Sequence, residues 1–267
     1  MLYSYLLEPI ELLIEDYQNL VIIQNGSLHF IPFQAIMNRQ NRFLVQDHNI
    51  SYAPSTSVYL HCLQKHYPEG ENFLGVALSD VLIGNNIGLP GTEFELNQII
   101  PFFENPISAI GINGTETFIK KSSSNQQYIH LATHGFYNFD QPLYSFLLFP
   151  PTSEDDGRLT VQEILELDLN ARLVTLSACE TGLGHIDRGD ELVGLSRAFI
   201  YAGSSAVIVS LWSVADYPTA FLMSKFYKYL KDQPAREALT RAQREVMQLY
   251  PSPLYWSPFV LIGNGEM

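Results

Sequence analysis

The strongest constraint on this chain is a repeated pattern of near-continuous apolar runs, six to eight residues long, each ending where chemistry-bearing or turn-forming residues begin. Residues 73–78, 128–133, 171–178 and 205–212 are such runs, and helix-like segments lie between them. A sheet with one wet face would alternate polar and apolar residues, so these strands must be covered on both sides. The pattern predicts an α/β domain in three layers, with a mostly parallel central sheet between two layers of helices. In such sheets, sites form just beyond the carboxyl ends of the strands.

The remaining segments fill in around that sheet. Residues 20–24 and 28–31 flank Asn25-Gly26, a pair suited to the positive φ angles of a tight turn, and predict a β-hairpin. A second short hairpin is expected over Phe43–Tyr52, and a short helix after Pro32. Ser55 and Thr115 are in place to cap helices running to about His66 and Lys121. Further helices are expected over about 93–103, 160–165, 190–201, 217–230 and 234–249, with a last strand over 256–262. Residues 1–70 read as a smaller, hairpin-containing N-terminal subdomain of the same unit, and residues 71–267 as its core.

Composition narrows the function classes. Of 267 residues, 46% are hydrophobic and 16% charged, which excludes global disorder. No stretch reaches the roughly 18–20 apolar residues of a membrane span, and the start lacks the pattern of a signal peptide. Two cysteines, Cys62 and Cys179, fit a reducing compartment, so a soluble, cytoplasmic protein is expected. A net charge of −13 argues against direct binding of nucleic acid. Asn25-Gly26-Ser27 and Asn113-Gly114-Thr115 match a glycosylation pattern but read as turns.

His134 and Cys179 are the first reactive side chains after two of the apolar runs, so parallel neighbouring strands would bring them to one sheet edge. A cysteine nucleophile needs a base to form thiolate and backbone donors for the oxyanion of its tetrahedral intermediate. His134 supplies the base, while the amides of Gly135 and Cys179 supply the donors, Gly135 allowing close approach. His130 reads as structural and Cys62 as packing. His185 is a rival base on a loop, 182–189, that is a poor mount for one. Gly194-Leu195-Ser196 falls inside an expected helix, not at a nucleophile elbow, and Gly182-Leu183-Gly184 lacks the rest of a phosphate-binding loop. Asp190-Glu191 reads as a helix start, and no metal-ligand spacing appears, so no cofactor and no metal are expected.

These residues carry a resemblance. Caspases place a histidine about 50 residues before a cysteine that follows alanine; here the separation is 45 (179 minus 134), without the caspase glutamine and with glycine one position late. The chain is more similar to the CHAT domain, a caspase- and separase-related family often joined to tetratricopeptide repeats. The similarity lies in residues 131–135 (Leu-Ala-Thr-His-Gly), 176–182 (Leu-Ser-Ala-Cys-Glu-Thr-Gly), 189–191, 194–199, 202–203, 210–216 (Ser-Leu-Trp-Ser-Val-Ala-Asp) and 255–263. It implies a caspase-like αβα fold and a Cys179–His134 dyad that cleaves peptide bonds through an acyl-enzyme. It further implies that Trp212 walls the specificity pocket and that Asp216 recognises a basic residue before the scissile bond. Asp216 also reads as the cap of the helix from about Tyr217. Asp140 and Glu180 are weaker candidates for the same cleft, and Arg188 for a self-cleavage point.

The expected function is therefore a cysteine endopeptidase acting on a protein or peptide partner, latent until a regulatory partner or a repeat region orders its cleft. A catalytically silent caspase-like interaction or signalling module stays open as the alternative.

Overall fold

The computed structural model describes residues 1–67, 70–79, 81–83, 86–138, 140–177, 179–180, 190–212 and 214–267; at 86–87, 179–180 and 190–193 it describes the backbone alone. The loop 182–189, with His185 and Arg188, lies outside the described residues.

Fourteen strands are described: β1 (Asn19–Ile22), β2 (Asn49–Tyr52), β3 (Phe73–Ala77), β4 (Leu82–Ile83), β5 (Asn86–Ile87), β6 (Ile107–Ile110), β7 (Tyr128–Ala132), β8 (His134–Phe136), β9 (Phe146–Leu148), β10 (Arg158–Thr160), β11 (Leu173–Leu176), β12 (Cys179–Glu180), β13 (Ala206–Ser210) and β14 (Phe259–Gly263). The helices are α1 (Leu2–Leu6), α2 (Glu11–Ile14), α3 (Leu44–Asp47), α4 (Thr56–Gln64), α5 (Pro90–Ile99), α6 (Glu116–Ser122), α7 (Val161–Leu165), α8 (Asp190–Tyr201), α9 (Asp216–Leu230), α10 (Ala235–Leu249) and α11 (Pro253–Trp256).

Eight strands form the central sheet in the order β1-β2-β14-β13-β11-β7-β3-β6. Every neighbouring pair runs parallel except β13–β14. The period-two alternation of a strand sends successive side chains to opposite faces. Accordingly Val174, Leu176, Val207 and Val209 pack with Ile119 of α6, Ile164 of α7, and Leu195 and Phe199 of α8. On the other face Leu173, Ala206 and Ile208 pack with Leu96 and Ile99 of α5, Phe226 of α9 and Leu239 of α10. Each of the buried Val, Leu, Ile and Phe side chains contributes about 1.5–3 kcal/mol of hydrophobic stabilisation. The result is a three-layer αβα fold.

Local signals set many of the boundaries. Ser55 Oγ accepts from the Val58 amide at 3.2 Å, and Thr115 Oγ1 from Phe118 at 3.1 Å, each satisfying an orphan amide of a first helical turn. Thr160 and Glu163 form a reciprocal capping box at α7. Gly203 takes φ +127 between α8 and β13, where an added Cβ would stand 1.8 Å from the Leu169 carbonyl oxygen. Only glycine fits there.

The N-terminal segment departs from the expected hairpins. Gly26 takes φ +55, but Asn25 is extended at φ −139, and a 3₁₀ segment over Gly26–Phe30 stands in place of the tight turn and returning strand. The expected second hairpin over 43–52 is α3 followed by β2. β2 pairs β1 in parallel, Asn19 opposite Asn49, and both extend the central sheet. A tight turn cannot join parallel neighbours, so the 26-residue interval between β1 and β2 (residues 23–48) serves as the crossover.

Candidate active site

Cys179 and His134 sit in a second, smaller sheet and not at the last positions of the central strands. β7 ends at Ala132 and β11 at Leu176, and beyond them the chain re-pairs as a four-stranded sheet ordered β10-β9-β8-β12. In that sheet β12 lies parallel to β8 with Cys179 opposite His134 and Glu180 opposite Gly135. Neighbouring strands lie about 4.8 Å apart, so a dyad in this register needs no long-range closure. β9 runs antiparallel to β8 on its other side, with Leu148 opposite His134 and Leu147 opposite Gly135.

The points where the strands leave the central sheet are held by hydrogen bonds. The Leu78 amide donates to Ala132 at 2.8 Å, and the Ser177 amide to Leu131 at 3.0 Å, so the parallel ladder runs up to both exits. Thr133, fully buried, donates its hydroxyl to the Leu148 carbonyl, fastening the end of β7 to β9. Ser177 donates its hydroxyl to Glu95 Oε2 at 3.0 Å. His134 is 6% exposed, near the stacked pair Phe136 and Phe146.

His130 lies deeper on β7, fully buried, as the sequence suggested for a structural histidine. Its Nδ1 is 3.2 Å from the Tyr227 hydroxyl and its Nε2 is 3.1 Å from Glu95 Oε1. The second approach is a close contact and not a hydrogen bond, because neither atom has a hydrogen-bond partner among the described residues. Tyr227 donates to Thr175 Oγ1 at 2.9 Å. Burial pushes its phenol far above the ordinary range, so it remains a protonated donor.

The other expected site residues are distributed as follows. Trp212 is half-buried beyond β13 and donates from Nε1 to the Leu254 carbonyl at 3.1 Å. Asp216 is exposed in the first turn of α9, whose N-cap is Ala215. It therefore does not cap α9 as expected; its Oδ2 accepts from the Gly91 amide at 3.1 Å and caps the neighbouring helix α5. An added Cβ on Gly91 would fall 2.2 Å from the Asp216 Cβ, so this close approach depends on glycine. Asp140 is exposed in the turn after β8, and Glu180 is fixed by its register opposite Gly135.

Sequence reasoning passed over two features. Glu95, 2% exposed, occupies the buried stripe of α5 together with Thr92, Leu96 and Ile99. A carboxylate at a core position of an amphipathic helix was the available signal. The second feature is Lys120 on α6, whose Nζ lies 2.6 Å from Glu116, 2.9 Å from Asp155 and 2.9 Å from Glu163. It ties α6 to the 150–157 loop, which joins β9 to β10. Glu116 Oε2 also accepts from the Gly157 amide at 2.9 Å. The three carboxylates stand within 4.8 Å of one another, as a divalent cation would require, but the ammonium already occupies their centre.

Comparison with known proteins bears on the family and the fold. A family model described as the CHAT domain matches residues 1–264. Tetratricopeptide repeat protein 28 of Mus musculus is 23% identical over 303 residues, covering 93% of this chain and 12% of that protein. Among solved structures, Saccharomyces cerevisiae separase in its complex with securin superposes with a TM-score of 0.58 at 16% identity, over 89% of this chain and 15% of that one. The Arg-specific cysteine proteinase gingipain R gives a TM-score of 0.58 at 10% identity, over 82% of this chain and 55% of that one. The chain thus spans 12% of that curated relative, and the structural likenesses show a shared caspase-like fold.

Proposed function

The chain belongs to the CHAT domain family, and on that premise we propose that it is a cysteine endopeptidase with Cys179 as nucleophile and His134 as general base. The observation that carries the reading is the β8–β12 register, which sets Cys179 directly opposite His134 on adjacent parallel strands. In this mechanism His134 takes the Cys179 proton, and the thiolate sulfur bonds to the scissile carbonyl carbon. The Gly135 and Cys179 amides hold the resulting oxyanion. Collapse breaks the C–N bond as His134 returns its proton to the leaving amine. His134 then takes a proton from water, which attacks the thioester and releases the acid and free thiol.

Asp216, with one carboxylate oxygen engaged by Gly91, is the group for a basic side chain before the scissile bond, where a charge-assisted pair would form. Trp212 lies between β13 and α9 as the neighbouring apolar wall. Asp140 and Glu180 have weaker support as lining residues. A protein or peptide is the substrate class.

One observation favours latency. His134 is 6% exposed, so the base lies covered, and an opening of the cleft would bring substrate to it. A regulatory partner or repeat region would supply that opening, and a module that never opens would serve interaction alone. The test is cleavage of a peptide library by wild type and Cys179→Ala. The variant is expected to keep the wild-type melting temperature and lose all cleavage. Residual cleavage at wild-type positions would refute the assignment.

A further inference from the structure

Two strands leave the central sheet together and re-pair one step later with Cys179 opposite His134. A slip of one residue at either exit would set Cys179 opposite Thr133 or Gly135 and turn one side chain to the wrong face. The β7 exit is fastened by Thr133 to Leu148. At the β11 exit, Ser177 stands two residues before Cys179, and its hydroxyl goes to Glu95.

Glu95 therefore has an unusual position. One oxygen accepts from Ser177 on β11's exit, and the other lies 3.1 Å from His130 on β7, four residues before His134. The same buried carboxylate bridges β7 and the exit of β11, the two central strands that lead into β8 and β12. Burying a carboxylate is costly unless its partners require it, and an apolar side chain would serve packing alone at lower cost. A carboxylate only accepts, so it suits the Ser177 hydroxyl that donates from one strand while its second oxygen lies against His130 on the other. Glu95 also sits one helical turn after Gly91, whose amide binds Asp216, so α5 joins the proposed specificity carboxylate to the nucleophile strand.

We propose that Glu95 is a positioning residue for Cys179, holding the exit of β11 against β7 so that the nucleophile stays in register with His134. This rests on the dyad proposed above. It adds a role for a residue that touches neither substrate nor the reacting atoms.

The test is the pH profile of iodoacetamide modification at Cys179, mapped by peptide mass, in the full chain. Cys62 is buried, which pushes its thiol up, and mapping separates the two sites. An aligned dyad keeps thiolate below the ordinary thiol range, and His134→Ala removes that low-pH limb. Glu95→Ala and Ser177→Ala are expected to lose it too, reacting about tenfold more slowly at pH 6, while the rate at pH 9 stays at the wild-type value. Glu95→Gln keeps an acceptor for Ser177 and should fall between. Folded Glu95→Ala and Ser177→Ala proteins with the wild-type profile would overturn the role of Glu95 and leave the dyad standing. A wild-type profile in His134→Ala would overturn the dyad, and the Glu95 role with it. Should Glu95→Ala fail to fold, Ser177→Ala and Glu95→Gln decide the matter by the same criteria.

Discussion

Replacing Lys120 with methionine removes the one ammonium among three carboxylates while keeping side-chain length. At an effective dielectric of about 20, two carboxylates 4.8 Å apart repel by about 3.5 kcal/mol, and there are three such pairs. The protein can relieve this by taking up a proton. From an ordinary glutamate pKa of 4.5, protonating Glu116 at pH 7 costs about 1.36 kcal/mol per pH unit, or about 3.4 kcal/mol. Lys120 is 27% exposed, so water recovers part of the loss, and the expected deficit is about 2–3 kcal/mol. The sign of its pH dependence is fixed. Desolvation already raises the Glu116 pKa in the folded protein, and losing Lys120 raises it further. An acid with a raised folded pKa binds its proton more tightly in the folded state, so stability is gained as pH falls through that pKa towards 4.5. Urea unfolding of wild type and Lys120→Met from pH 7.5 to pH 5 measures the gap. It should narrow by up to about 1.4 kcal/mol per pH unit within that window. A gap that stays constant or widens on acidification would refute the electrostatic account of how this cluster holds the β9–β10 loop.

Other expected outcomes follow from glycine positions. Gly203→Ala combines a φ of +127 with a 1.8 Å approach to the Leu169 carbonyl, and should cost about 2–4 kcal/mol in denaturant unfolding; a loss below 1 kcal/mol would contradict that geometry. Gly91→Ala should push Asp216 aside and reduce the preference for cleavage after Lys or Arg about tenfold, matching Asp216→Asn. An unchanged preference in both variants would show that specificity is set elsewhere.

Much of the central fold was legible because doubly covered strands must be apolar throughout. The runs at 128–133, 171–178 and 205–212 contain β7, β11 and β13, and the hydroxyl caps at Ser55 and Thr115 mark real helix starts. The small sheet was not legible. β8, β9, β10 and β12 are two or three residues long, too short for any period to emerge, and they exist because tertiary pairing holds them. Asn25-Gly26 misled on both turn and partner: only Gly26 takes a positive φ while Asn25 stays extended, and β1 pairs in parallel with β2, which also pairs the distant strand β14. That Cys179 and His134 come to neighbouring parallel strands was readable from where the apolar runs at 128–133 and 171–178 end. Glu95 was overlooked because its partners, His130 and Ser177, lie 35 and 82 residues away (130 minus 95 and 177 minus 95).

The most direct test of the central claim is labelling with peptide acyloxymethyl ketones ending in Lys, Arg, Asp or Leu, read as adduct mass and site. The expected result is a covalent adduct on Cys179, strongest with Lys or Arg and absent in His134→Ala. Labelling that survives in His134→Ala, or no labelling while iodoacetamide still modifies Cys179, would contradict an assembled dyad and leave an exposed thiol without a working cleft.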